Sequence, residues 1–281
     1  MKLVTKKLAL TLVSLCVLAA CSTSPTGRSQ LTLLPSSQLN SMGADSFQQI
    51  KQQEQVSDDP AANAYVQCLT DAIVEVLPEK YADQSWEVVV FESEMVNAFA
   101  LPGGYLGVYT GMIRLAENQH QLAAVMGHEV GHVMAEHSSE RLSGNLLVGG
   151  LLMGADFALS DRPTSQRALI MAGLGLGAQV GYMLPYSRAH ESEADEIGLD
   201  LMAKAGFDPE EAPKLWERMQ EMSDGGGPPE LLSTHPSPST RIRALSRQVP
   251  DVMGDYEARL AQGPAPQCER PAWADEPVEE G

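Results

Sequence analysis

Between Pro60 and Leu77 the apolar residues Tyr65, Leu69, Ile73 and Val76 recur every three or four positions, the period of a helix with one buried face. A preceding stretch, Ser37 to Gln55, also reads as helical. The pattern then changes: Trp86 to Phe91 is a β-rich run, and Val96–Ala100 and Tyr105–Tyr109 are two short strands around Pro102-Gly103-Gly104. Gln121 to Ala135 returns to the helical period. Leu142 to Pro185 holds two Gly- and Ala-rich apolar stretches split by Asp161-Arg162-Pro163. Leu169 to Leu184, broken by glycines and Gln179, is short for a membrane span and reads instead as half of a buried or mobile helical hairpin near the functional site. Ser187 to Ala205 is a helix stopped by Gly206, Asp208-Pro209 caps and starts another, and Ser239 to Gln248 is the last. The expected fold is α+β, mostly helical, with a small β-sheet, and no internal repeat is present.

The two ends differ from this body. Met1-Lys2, Lys6 and Lys7 precede an apolar run from Leu8 to Ala20, which makes residues 1–20 a secretory signal peptide. Leu18-Ala19-Ala20-Cys21 resembles a lipobox, so Cys21 is the expected site of lipidation. By analogy with Gram-negative lipoproteins, Ser22 after that Cys favours the periplasmic face of the outer membrane. Residues 21–36 then read as a lipidated tether, 37–262 as the folded domain, and 263–281 as a Pro-rich, acidic, disordered tail. A net charge of −18 argues against nucleic acid as a partner and against electrostatic docking to anionic lipid, so an acyl anchor on Cys21 would have to hold the chain at a membrane. With Cys16 removed and Cys21 acylated, Cys68 and Cys268 remain in a compartment that permits a disulfide. The alternative is a buried Cys68 in an apolar helix and a free thiol in the tail.

His128-Glu129-Val130-Gly131-His132 places two imidazoles one helical turn apart, on one face. That spacing suits one Zn²⁺ per chain, with Glu129 placed to act as general base on a water. A catalytic site needs a third ligand. The pattern with a third His six residues on fails, because Ala135 and Ser138 stand where Gly and His are required; His137 is out of register and reads as a helix-end residue near the site. A carboxylate from a second helix remains. Glu191 lies 59 residues beyond His132 (191 − 132), and Asp195 follows one turn later on the same face, where it can accept the free N–H of a ligating imidazole. Glu193, about 200° round the helix from Glu191, reads as part of a solvated acidic face. A purely structural zinc is disfavoured, since no Cys lies near these residues.

These blocks resemble metallopeptidase family 48, the zinc endopeptidases grouped with the type I CAAX prenyl endopeptidase, HtpX and the mitochondrial Oma protease. The resemblance rests on Asn97-Ala98-Phe99-Ala100-Leu101-Pro102-Gly103-Gly104, the helix with His128 to His132, Glu191 through Asp195, and His235-Pro236 with Arg241, with Thr26-Gly27-Arg28 upstream. It implies a gluzincin-like fold with zinc on His128, His132 and Glu191 and catalysis by Glu129. Lacking clear multi-span segments, the chain is similar to the soluble periplasmic lipoprotein branch, which holds the β-barrel assembly-enhancing protease and LoiP. After Arg241 only 40 residues remain (281 − 241), so no tetratricopeptide domain is expected, which weakens any tie to the outer-membrane assembly machinery. Asn97 to Ala100 reads either as core or as an edge strand that holds extended or unfolded polypeptide through its main chain. His235 is either an exposed loop residue or, as the resemblance suggests, a fourth ligand or stabiliser of the tetrahedral intermediate. Arg241 orients that loop or pairs with a nearby carboxylate. The implied function is a zinc endopeptidase of the bacterial envelope acting on misfolded or unassembled envelope proteins; the alternative is a proteolytically quiet chaperone or scaffold.

Overall fold

A computed structural model gives the fold and describes residues 21–223 and 238–276. The expected signal peptide, residues 1–20, and His235 lie outside the described residues.

The expected tether is not loose. Strand β1 (Cys21–Thr23) pairs antiparallel with β2 (Ser29–Leu31), with Cys21 opposite Leu31 and a left-handed Gly27 in the turn. Its polar composition was misleading, because Ser24 and Gln30 are buried and Arg28 reaches into the body to two carboxylates. Helix α1 (Ser36–Gln53) follows, then α2 (Pro60–Glu75), where Asp59 accepts the N–H groups of Ala61 and Ala62 and Pro60 occupies the first turn. The predicted face of Tyr65, Leu69 and Ile73 is buried.

After the short α3 (Glu79–Ala82), strands β3 (Glu87–Phe91), β4 (Ala98–Leu101) and β5 (Tyr105–Tyr109) form a sheet in the order β3-β5-β4. β3 and β5 run parallel; β4 and β5 form a hairpin turned by Gly103 and Gly104, whose φ values of 98° and 88° favour glycine. Main-chain bonds from Ser57 to Val90 and from Glu92 to Gln55 cover the outer side of β3, and β4 is left as an edge of the sheet. Phe47 of α1 packs on Phe91, Phe99 and Tyr105 on one face.

Helix α4 (Thr110–Leu115) leads to α5 (Gln119–Met134), capped by Asn118 and buried along most of its length. α5 is the centre of the core. It packs on α8 (Leu184–Ala205), which ends at Gly206 in the left-handed conformation, and on α9 (Glu211–Ser223). The last helix, α10 (Pro238–Gln262), runs through Pro250 instead of stopping at Gln248. Burial of Leu245 and Val249 seats the helix on the core just before the proline and outweighs the missing donor.

Between α5 and α8 stand α6 (His137–Ala158) and α7 (Thr164–Ala178), followed by one π-helical turn at Gln179–Met183. The expected hairpin is there, but it is not buried: beyond Gly144, α6 has no buried residue, and α7 has none at all. Apolar composition showed that these residues avoid water without showing what they pack against.

The tail also departs from expectation. Residues 263–276 return across the body; Cys268 is buried and bridged to Cys68, and Arg270 Nη2 donates to the carbonyls of Ile113 and Arg114 at 3.2 and 3.1 Å. Arg114 sits 4.8 Å over the Trp273 ring. The bridge closes a segment of 200 residues. Replacing both cysteines with Ser is expected to cost about 2–4 kcal/mol in urea unfolding and to open residues 263–276 to limited proteolysis. An unchanged urea midpoint would show the tail to be held by its other contacts alone.

Candidate metal centre

The two imidazoles come from α5 and the carboxylate from α8, and the distance between these helices is set by glycine. A Cβ at Gly198 would lie 2.6 Å from the His128 backbone nitrogen, and one at Gly131 would lie 2.9 Å from the Ala194 carbonyl oxygen. The helices therefore touch backbone to backbone, close enough for Glu191 to reach the pair. His128 Nε2 and His132 Nε2 stand 3.0 Å apart, and the Glu191 carboxylate is 3.4 Å from the first and 3.5 Å from the second. Four-coordinate Zn²⁺ with bonds near 2.0–2.1 Å separates its ligand atoms by about 3.3 Å. The three donors all lie within 4.8 Å of one another, and they fit one metal ion.

Both imidazoles are fixed from behind. His128 Nδ1 lies 3.0 Å from Asp195 Oδ1, and Arg241 grips Asp195 through Nε (2.9 Å) and Nη2. Arg241 also lies 2.9 Å from His128 Nδ1 and 3.4 Å over the Trp216 ring. Burial would raise the Asp195 pKa, but the charge of Arg241 and the bond from His128 outweigh it and hold Asp195 down. The pKa of His128 is pushed down by burial and by Arg241, yet Asp195 and Glu191 carry it up to about 9, so this pocket favours a cation.

His132 is held by a longer relay. Its Nδ1 lies 2.8 Å from His137 Nδ1, and His137 Nε2 lies 3.0 Å from Glu193 Oε2. An ionised carboxylate only accepts, so His137 donates through Nε2. Burial, with His190 and His132 as neighbours, lowers the His137 pKa to about 3 and keeps it neutral. Its Nδ1 is then an acceptor, and His132 must carry its proton on Nδ1, which leaves Nε2 bare for a metal. The chain doubles back for this contact through Glu136, at φ 52°.

Glu193 is therefore not on a solvated face, as expected from its place on the helix, but is buried beside Glu140. α8 is enclosed on nearly every side here, so the side away from Glu191 is also interior. Arg28 donates to Glu140 at 2.8 and 2.6 Å and to Glu193 at 2.8 Å; His190 Nε2 lies 2.9 Å from Glu140, and Tyr186 bonds it as well. Of these residues, the sequence marks Arg28 only inside Thr26-Gly27-Arg28 and His190 only as the neighbour of Glu191; Glu140 and Tyr186 carry no sequence signal. Burial raises both carboxyls, but His190 and Arg28 at Glu140, and Ser24, Thr26, His137 and Arg28 at Glu193, bring each down to about 2. Groups depressed from a usual 4.5 contribute stability that is complete above 4.5 and is lost as the pH falls towards 2. Urea unfolding is expected to weaken over that interval, and Glu140→Gln with Glu193→Gln to flatten the slope; an equal slope in the double variant would refute the assignment.

Glu129 lies between the cluster and the sheet. Its Oε2 accepts the Ala100 N–H at 3.3 Å, so the free edge of β4 faces the His–His–Glu group. Of the predicted substrate strand, Ala98, Phe99 and Ala100 are in β4, while Asn97 precedes it and accepts from the Tyr109 N–H.

Two imidazoles and a carboxylate from a second helix, with a further carboxylate beside the cluster, define a centre of the metallopeptidase class. Residues 60–249 match Peptidase family M48, and the chain belongs to that family. It is 38% identical over 164 residues to the mitochondrial metalloendopeptidase OMA1 of Arabidopsis thaliana, covering 58% of this chain and 31% of that protein. To the mitochondrial metalloendopeptidase OMA1 of Danio rerio it is 33% identical over 249 residues, 81% of this chain and 50% of the relative. To the beta-barrel assembly-enhancing protease of Escherichia coli it is 28% identical over 207 residues, 72% of this chain and 42% of the relative. The chain spans half or less of the length of these relatives.

Proposed function

We propose that this protein is a zinc endopeptidase of the bacterial cell envelope that hydrolyses misfolded or unassembled envelope proteins, tethered by lipid on Cys21 to the periplasmic face of the outer membrane. The observation that carries the peptidase reading is Glu129, set between the His128–His132–Glu191 cluster and the open edge of β4. An extended polypeptide laid along that edge would hydrogen-bond through its main chain, which selects for unfolded chain rather than a fixed sequence. His128, His132 and Glu191 would hold the zinc, which supplies Lewis-acid polarisation of the scissile carbonyl and acidification of water. Glu129 would take the proton from the attacking water and return it to the leaving amine. A cavity beside His132, walled by Asn40, Tyr81, Pro102, Glu136 and Ser139, could take a substrate side chain.

The envelope reading is supported by the lipobox at Cys21, by a cysteine pair that needs an oxidising compartment to bridge, and by the similarity to the beta-barrel assembly-enhancing protease. Purified protein is expected to cut casein, to stop when a chelator removes the metal, and to resume on addition of Zn²⁺. Casein bound but left intact in the zinc-loaded protein would favour a quiet chaperone instead.

A further inference from the structure

The α6–α7 hairpin leaves the body with its apolar side chains in the open. Phe157 is 81% exposed, Leu169 76% and Met153 75%, with Leu146, Leu151 and Leu176 also exposed. The continuous helix Thr164–Ala205 contains a stretch long and apolar enough to cross a membrane, and hardly any of that stretch is buried. So large an apolar surface marks a partner of some kind.

Three observations say what the partner is. First, the charges are neutral in sum and sit at the tip: between residues 142 and 184 only Asp156, Asp161, Arg162 and Arg167 are charged, and Asp156 pairs with Arg167. Second, the N-terminal hairpin leads to the same place. Gln30 bonds Ala135 and Glu140 near the root of α6, and the Leu33 N–H donates to Ser143 further along it. β2 therefore runs outward along α6, and Cys21, opposite Leu31, stands at the end of β1 nearest the apolar shaft. Third, Tyr182 and Tyr186 stack at the root, ring centroids 5.3 Å apart, where amphipathic rings would sit at headgroup level.

We infer that the α6–α7 hairpin is a lipid-binding element that beds into one leaflet of a bilayer beside the acyl chain of Cys21. The uncharged stretch 168–187 spans roughly 30 Å at 1.5 Å per residue, about one hydrocarbon core, but its partner arm, 142–155, spans only roughly 21 Å before Asp156. Limited by the shorter arm and charged at its tip, the hairpin enters one leaflet and does not cross. Beside the lipid on Cys21, the hairpin adds a second apolar contact at a separate point of the fold. It would also fix the orientation of a catalytic centre whose ligands lie on the helices at either end of the hairpin. The choice of outer membrane rests on the localisation proposed above; the lipid contact does not.

The test uses the chain from residue 21 onward with Cys21→Ser, so that no acyl chain contributes, and zwitterionic phosphatidylcholine vesicles, because a chain of charge −18 that also loses Lys2, Lys6 and Lys7 is repelled by anionic lipid. The protein is expected to float with the vesicles, and Leu151→Asp with Phe157→Asp to lower the bound fraction about tenfold. Metal content and casein cleavage, read on the same samples, should be unchanged, which separates failure of this inference from failure of the peptidase reading. In a second arm, the fluorescence introduced by Phe157→Trp should shift to the blue and be quenched by brominated lipid. Protein that stays in the aqueous fraction, or a dimer that forms through the hairpin and ignores vesicles, would overturn the inference.

Discussion

Glu129→Gln is expected to bind as much zinc as the parent and to cleave casein about 10²–10⁴-fold more slowly. The amide keeps nearly the shape of the carboxylate and can still meet the Ala100 N–H through its oxygen, so β4 and α5 should keep their spacing. It cannot take a proton. The metal ligands, with Asp195 and His137 behind them, do not include Glu129, and zinc should therefore be retained. The loss should fall on kcat with KM little changed, because strand recognition along β4 does not need the base. Undiminished turnover at full zinc content would remove Glu129 from its role. Zinc loss together with activity would instead make it a structural part of the site.

Gly198→Ala is expected to reduce metal affinity at least about 10-fold and to destabilise the fold by about 1–3 kcal/mol. The added carbon would stand 2.6 Å from His128 N and 2.8 Å from its Cα, and backbone cannot swing aside as a long side chain can. α5 and α8 would have to separate, which draws Glu191 away from the two imidazoles. Gly149→Ala supplies the comparison, since a Cβ there has open space within 4 Å. That substitution should leave the metal untouched and stabilise helix α6 by roughly 0.5–1 kcal/mol. Opposite signs for one chemical change in two helices would show that contact between helices, not helix propensity, governs Gly198. Equal effects would contradict the close packing.

Much of the centre was legible before folding was considered. His128 and His132 are four residues apart, Glu191 and Asp195 likewise, and the pitch of a helix fixes such pairs on one face. The buried face of α2, the cap at Asp59 and the strand Tyr105–Tyr109 also follow from local pattern. The misreadings share a cause. Helical-wheel reasoning allows a helix one dry face and so gives Glu193 to water, whereas α8 is buried on most sides between His190 and Ala205. The polar leader around Arg28 looked unstructured because its partners, Glu140 and Glu193, are more than 100 residues away. The tail from Gly263 looked disordered for the same reason: Cys68, Ile113 and Arg114 hold it from elements far up the chain.

Residue order alone therefore settled the long helices around the site and the three strands of the sheet, which side chains share a helix face, and the ligand types available to a metal. Those properties depend on covalent geometry and on neighbours within a turn or two. The tertiary structure alone decided that α5 and α8 meet at Gly198, that Glu193 and His137 orient His132, that β4 turns its free edge to Glu129, and that the α6–α7 hairpin stands clear of the core. Each of these is a distance between elements, set by which surfaces pack and which must bury their polar groups, and no local period encodes it.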